Sequence, residues 1–381
     1  MRRDPLDHAP NLNTADAARL ALELFVVGYE GTTLPERYAA WLGEGLGGVI
    51  LFKRNLEFDA AGGIRLDALT AQTAAIHAAA ESCPWQPAPA VVAVDQEGGL
   101  VARLRAPFTI FPPMRRLGEH GDLDLLRAVG SQLGRECLAA GFNLDFTPVL
   151  DVDTNPDNPI IGNRAFSRDP HQVATYAGAL LEGLHSAGVL GCGKHFPGHG
   201  DTDADSHVAL PVLSHDLKRL EQVELVPFAQ LAKQLPMVMT AHVLFPALDP
   251  VWPATASPQI LSPLLRDYCG FTGVIVSDDL EMNGIAQVLP ADESVRRGLE
   301  AGCDAFLVCR RLDTFETALR GATEVLEGQH GEALRQRALD GVRRMRTLRG
   351  RLERPQPSAA AVEAVLSDGA TARLRADLAA L

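Results

Sequence analysis

The fourteen residues Lys194-His195-Phe196-Pro197-Gly198-His199-Gly200-Asp201-Thr202-Asp203-Ala204-Asp205-Ser206-His207 hold one lysine, three histidines and three aspartates. An imidazole gives and takes a proton near neutrality, and a carboxylate beside it fixes its tautomer, so this composition points to proton transfer or to metal ligation. His195 and His199 have the i, i+4 spacing of a zinc-binding helix, with Asp201 as a third ligand. Pro197, Gly198 and Gly200 exclude that helix and predict a mobile or irregular loop whose backbone stays unburied. No glutamate stands beside the first histidine to act as a base, and no metal is expected.

A second segment, Gly273-Val274-Ile275-Val276-Ser277-Asp278-Asp279-Leu280-Glu281-Met282, runs from an apolar strand straight into two carboxylates. Adjacent side chains on a strand diverge, so Asp278 is expected to point inward and Asp279 to start and cap the following helix. A third segment, Asp95-Gln96-Glu97-Gly98-Gly99-Leu100-Val101-Ala102-Arg103, follows another apolar run and contains paired glycines that permit a tight turn or close approach of a ligand. Neither a P-loop nor a G-x-G-x-x-G pattern follows, and the acidic groups repel phosphate. Carboxylates that accept from hydroxyls, beside an arginine that donates several bonds at once, suit a sugar better. No cofactor is implied.

Elements must bring these segments together. Short apolar runs recur at 24–28, 48–52, 91–95 and 144–149, then from 189, 237, 273 and 304, each separated by enough chain for a crossover helix. Near-continuous apolarity is the mark of parallel strands covered on both faces. Eight such units predict an α/β fold, a single (β/α)8 TIM-type barrel; periodicity alone also admits an open doubly wound sheet. Asp95, Lys194, His195, His242 and Asp278 all stand at the ends of these runs. Any one of them could merely cap a helix, but a barrel would gather all five on its catalytic face. Near residue 350 the composition turns to a proline-containing break and Ala-rich sequence. The expected division is a catalytic barrel over 1–350 and a short helical C-terminal tail over 351–381, packed on it.

Composition narrows the partners. Hydrophobic residues at 46% and charged residues at 22% fit a globular domain with a sizeable core. A formal charge of −13 argues against nucleic acid, which draws its non-specific affinity from clustered Lys and Arg. No apolar run approaches a membrane span or a secretory leader, and six scattered cysteines without close pairs read as reduced core thiols. A cytoplasmic protein without membrane partners is expected.

The segments DQEGG at 95–99, LDFTPVLDV at 144–152, IGNRAFS at 161–167, KHFPGHGDTDADSH at 194–207, MTAHVLFPALD at 239–249 and SDDLEM at 277–282 together resemble the family-3 glycoside hydrolases. They occur in family order over roughly residues 20–350, and the DSH ending resembles the short bacterial β-N-acetylglucosaminidase branch of the NagZ type. That resemblance implies retaining exo-hydrolysis of terminal β-linked N-acetylglucosamine. It places Asp278 as nucleophile, His207 as acid/base and Asp205 as the partner that orients the histidine. It places Asp95, Arg103, Arg164, Lys194 and His195 around the terminal sugar. The implied substrates are GlcNAc-containing muropeptides, such as GlcNAc-1,6-anhydroMurNAc peptides, or chitooligosaccharides. The expected enzyme is a monomer, although sequence leaves oligomeric state open. Leu100 stands where many relatives carry Arg, and Asn163 where relatives often carry an acid; neither touches the implied chemistry. Two alternatives stay open: phosphorolysis, because a histidine donor is neutral after giving up its proton and tolerates phosphate, and a non-catalytic sugar-binding barrel.

Overall fold

The computed structural model describes residues 6, 12–85, 88–203 and 210–381. Eight strands form a closed parallel barrel: β1 Phe25–Val27, β2 Gly48–Ile50, β3 Val91–Val94, β4 Leu144–Asp145, β5 Leu190–Phe196, β6 Met237–Thr240, β7 Val274–Asp279 and β8 Ala305–Val308. Each pairs with its sequence neighbours, and β8 closes against β1, Phe25 opposite Phe306 and Val27 opposite Val308. Every strand coincides with one of the eight apolar runs, and closure rules out the open sheet.

Alternation along the strands builds two cores. Val26, Ile50, Val91, Ala93, Leu144, Cys192, Met237, Val274, Val276, Ala305 and Leu307 fill the barrel interior. Phe25, Val27, Val49, Val92, Val94, Val238, Ile275 and Phe306 face the outer helices. Parallel strands feed crossover helices on the outside, so both faces must be apolar and the runs lose polar alternation.

The N-terminal end of the barrel is shut by the helix Glu332–Arg349, whose Met345 and Leu348 join the interior cluster together with Leu352. Arg349 is fully buried there and donates from Nε to the Pro89 carbonyl at 2.8 Å. Arg346 donates to both oxygens of the buried Glu23, at 2.8 and 2.6 Å. Arg266, Arg337 and Arg344 converge on the buried carboxylate of Asp304, just before β8. The strand ends on the other side are left open to solvent and loops.

Beyond residue 350 two helices, Ala359–Leu366 and Gly369–Ala380, pack against the outer layer through Val362, Leu374 and Leu378. All six cysteines are buried. No helix among the described residues is long and apolar enough to cross a membrane.

Candidate active site

At the open end the strand termini line one cavity of about 190 Å³, walled by Asp95, Glu97, Arg103, Arg164, Lys194, His195, His199, Asp278 and Asp279 over an apolar floor that includes Ile50, Phe146, Met239 and Leu307. Asp95 follows β3 directly, and the chain then turns back as a hairpin, Gln96–Gly98 against Val101–Ala102. Gly98 and Gly99 at its tip have φ of 96° and 58°, the left-handed region that only glycine enters freely. The turn returns Arg103 to the cavity wall, where its Nη2 donates to Asp95 Oδ2 at 3.2 Å.

Lys194, near the end of β5, is 2% exposed, so its ammonium must be paired where it sits. Its Nζ lies 3.0 Å from Asp95 Oδ1 and 2.6 Å from Glu97 Oε1. Arg164 grips Glu97 with two parallel bonds, Nε to Oε2 and Nη2 to Oε1, both 2.8 Å. Burial alone would raise the carboxyl pKa values, but Lys194 and Arg103 outweigh it at Asp95, and Arg164 with Lys194 at Glu97, so both are held below the usual range. Conversely, burial would lower Lys194, and Glu97 and Asp95 raise it instead. The result is an ionised, mutually locked set of donors and acceptors, which suits a neutral polyol whose hydroxyls need both.

Asp151 organises the next stretch. Its Oδ2 lies 2.7 Å from His195 Nδ1, and its Oδ1 accepts the backbone N–H of His199 at 2.6 Å. His199 turns its Nδ1 to Thr202 Oγ1 at 2.7 Å, and Asp201 accepts from Thr154 at 2.9 Å. The three residues of the zinc alternative are thus drawn to separate partners, and no group of three or more metal-ligating side chains occurs among the described residues. The expectation of an unburied loop is corrected here. Residues 194–196 belong to β5, and residues 197–200 are also buried. Asn158 Nδ2 donates to the His199 carbonyl at 2.9 Å, and a β-carbon at Gly200 would stand 1.8 Å from the Val152 carbonyl oxygen. The loop after β4 supplies the partners that this backbone would otherwise seek in water.

Asp278 and Asp279 both line the cavity, against the expectation that only one would. Between Ala305↔Val276 and Leu307↔Asp279 the register slips by one residue, a bulge that re-aims the end of β7. Asp279 does not cap a helix. Its Oδ1 accepts N–H groups from Cys309 and Glu281, both at 3.1 Å, and the next helix, Asn283–Ala286, has Met282 at its start with no side-chain cap. Burial, assisted by Glu281, pushes the Asp279 carboxyl up to about 7. Asp278 Oδ1 accepts the Asp279 N–H at 2.8 Å.

Six residues expected at the site, Asp95, Arg103, Arg164, Lys194, His195 and Asp278, therefore share one cavity. Asp205 and His207 lie outside the described residues. Sequence reading gave no role to Glu97 or Asp151. For Glu97 a signal existed, since residues two apart on an extended chain share a face and Asp95 was already placed inward. Asp151 and His195 are 44 residues apart with no spacing rule to join them.

The model of the glycosyl hydrolase family 3 N-terminal domain matches residues 32–348. A β-hexosaminidase from Nitrosomonas eutropha is 42% identical over 297 residues, covering 76% of this chain and 81% of that one. Among solved structures, native NagZ from Neisseria gonorrhoeae superposes with a TM-score of 0.74 at 35% identity, over 93% of this chain and 96% of that one. The same protein has been solved with N-trifluoroacetyl-D-glucosamine. A fungal multi-domain GH3 β-N-acetylglucosaminidase reaches 0.86 at 29% identity, and this chain, 95% covered, spans 42% of that longer one.

Proposed function

The chain belongs to glycosyl hydrolase family 3 and is a glycoside hydrolase of the β-N-acetylhexosaminidase kind, and from that premise we propose that it removes terminal β-linked N-acetylglucosamine with retention, through a glycosyl ester on Asp278. An Asp278 oxygen attacks the anomeric carbon as the bond to the aglycone oxygen breaks, and His207 passes its proton to that oxygen. Water then gives a proton back to His207 and attacks the same carbon, which releases Asp278. Asp205 orients the imidazole and stabilises its protonated form. Asp95, Arg103, Arg164, Lys194 and His195 hold the hydroxyls of the terminal ring.

The observation that carries this reading is that Asp278 shares its cavity with the locked Asp95–Lys194–Glu97–Arg164 set. At about 190 Å³ the cavity is below the ≈ 300–1,000 Å³ of sites for drug-sized ligands, which favours one ring and an exo mode of attack. The muropeptide or chitooligosaccharide remainder would then lie outside it, and GlcNAc-1,6-anhydroMurNAc peptides are the substrates we favour. Buried cysteines without close sequence pairs suit a reducing, cytoplasmic setting.

Trapping with a 5-fluoro N-acetylglucosaminyl donor, followed by peptide mass mapping, tests the mechanism. The label is expected on Asp278; a labelled peptide that excludes it overturns the assignment. Product analysis in phosphate buffer should give free N-acetylglucosamine, and a sugar 1-phosphate would replace hydrolysis by phosphorolysis. With His207→Ala, a nitrophenyl glycoside should retain far more activity than a sugar aglycone, whose alkoxide leaves poorly without a proton. Equal slowing of both would remove His207 as donor.

A further inference from the structure

We propose that His242 is a positioning residue for the nucleophile, fixing the main chain of Asp279 so that the Asp279 N–H holds one oxygen of Asp278 and leaves the other to attack. This rests on the reading of Asp278 as nucleophile. The ladder between β6 and β7 pairs Met239 with Val276 and goes no further in register. On β8 the bulge leaves Ser277 and Asp278 out of the ladder before Asp279 meets Leu307. On the β6 side no ladder pair reaches Asp279, and a side chain does. His242, two residues past β6, is fully buried outside the cavity lining, and its Nε2 lies 3.1 Å from the Asp279 carbonyl oxygen.

A carbonyl oxygen only accepts, so Nε2 carries the proton and Nδ1 of the neutral ring is left with a lone pair. Nδ1 lies 2.8 Å from Thr255 Oγ1, and that hydroxyl must donate, since two lone pairs would otherwise face each other. Thr255 has one proton, given to Nδ1 at 2.8 Å and shared with the Ala241 carbonyl oxygen at 3.1 Å, so at its remaining close contact, 2.7 Å, Thr240 Oγ1 is the donor. A directed chain results: Thr240 to Thr255, Thr255 to His242, and His242 to Asp279. Hydrogen bonds aligned in this way polarise one another.

Asp279 is thereby pinned at its carbonyl by His242 and at its carboxylate by the Cys309 and Glu281 N–H groups. Its own N–H then points at Asp278 Oδ1, 2.8 Å away. The neutral ring that the chain requires fits its surroundings. Burial lowers the His242 pKa, and His195 acts in the same sense, against the pull of Asp278 and the bonds to the main chain at 278 and 279.

The experiment compares His242→Leu, which keeps apolar bulk but removes the donor, with His242→Gln, which offers an N–H and an acceptor. Three quantities are read on each: the rate of labelling by the 5-fluoro donor, the position of the label, and Kd for free N-acetylglucosamine. The expected result is a label on Asp278 throughout, a labelling rate lowered on the order of 100-fold in the leucine variant, partial recovery with glutamine, and an unchanged Kd. Wild-type labelling in the leucine variant overturns the proposal, and so does a parallel loss of labelling and sugar binding, which marks a packing role. A label away from Asp278 in the wild type removes the premise instead, so the two failures are distinct. Should the leucine variant not fold, Thr255→Val, which withdraws the proton from Nδ1, is read in the same way, with wild-type labelling again overturning the proposal.

Discussion

The neighbouring carboxylates of Asp278 and Asp279 meet different fates because their partners differ. Among the described residues Asp278 accepts a single neighbouring N–H, whereas Asp279 is tied to two main-chain donors. Asp278→Ala should therefore lose turnover by several orders of magnitude with an unchanged melting temperature, and Asp279→Ala should be much milder in turnover but less stable. Reversed effects on turnover would move the nucleophile to Asp279. A third carboxyl, Asp145 at the end of β4, is fully buried; its Oδ1 accepts the Gln96 N–H, while Oδ2 has no partner among the described residues. Burial pushes it up to about 8 from 3.8, so it is protonated in the folded enzyme across mild acid while the unfolded chain ionises near 4. A folded pKa above the unfolded one gives stability that is complete at low pH and lost as pH rises between those values. Asp145→Asn removes this titration, so its stability relative to wild type should improve from pH 5 to pH 8 by on the order of 1 kcal/mol per pH unit. A difference that stays flat across that range would mean that Asp145 is ionised in the folded state.

At the scale of elements, the strands were legible, and the local geometry at their ends was not. Apolar runs such as GVIVS and AFLVC announce buried parallel strands because both faces must exclude water. The bulge that lets both Asp278 and Asp279 reach the cavity leaves no mark, since it arises from how β7 meets β8 rather than from any residue type. The buried loop after β5 was misread for a related reason: glycine and proline report that helix is excluded, but not that Asp151 and Asn158 wait on another loop to satisfy the backbone. The barrel floor was equally silent in the sequence. Nothing in the spacing of the arginines along Glu332–Arg349 singles out those that turn inward, yet Arg337 and Arg344 reach the buried Asp304 at 2.9 and 3.0 Å, joined by Arg266. Removing Asp304 takes the shared anion from three partly buried arginines, two of which keep carbonyl partners, and leaves the buried Ile275 N–H without its acceptor, at a cost of about 1–3 kcal/mol. Asp304→Ala should show that loss in urea unfolding while kcat of the folded fraction holds, because the floor lies at the opposite end of the barrel from Asp278. A stability change under about 1 kcal/mol would mean that the arginines find water instead.

On the scale of the whole molecule, eight apolar runs predicted a barrel without excluding an open sheet, and the polar residues at their ends pointed to closure and to which end is chemical. Net charge was equally legible, and it bears on which substrates approach. At −13 the protein repels anions at long range, while the cavity itself pairs its charges closely and so offers little net field to a neutral sugar. A chitooligosaccharide is neutral; a GlcNAc-anhydromuramyl peptide carries carboxylates. The two should therefore respond differently to salt. Between about 10 and 200 mM NaCl the Debye length contracts from roughly 30 Å to under 10 Å, which screens the distant surface charge but not contacts inside the cavity. The value of kcat/KM for the acidic muropeptide should rise a few-fold over that range, as encounter with a like-charged enzyme becomes easier, while kcat/KM for chitobiose stays level. A fall with salt for the muropeptide alone would reverse the inference. It would show that local positive charge attracts the aglycone more strongly than the net charge of the surface repels it.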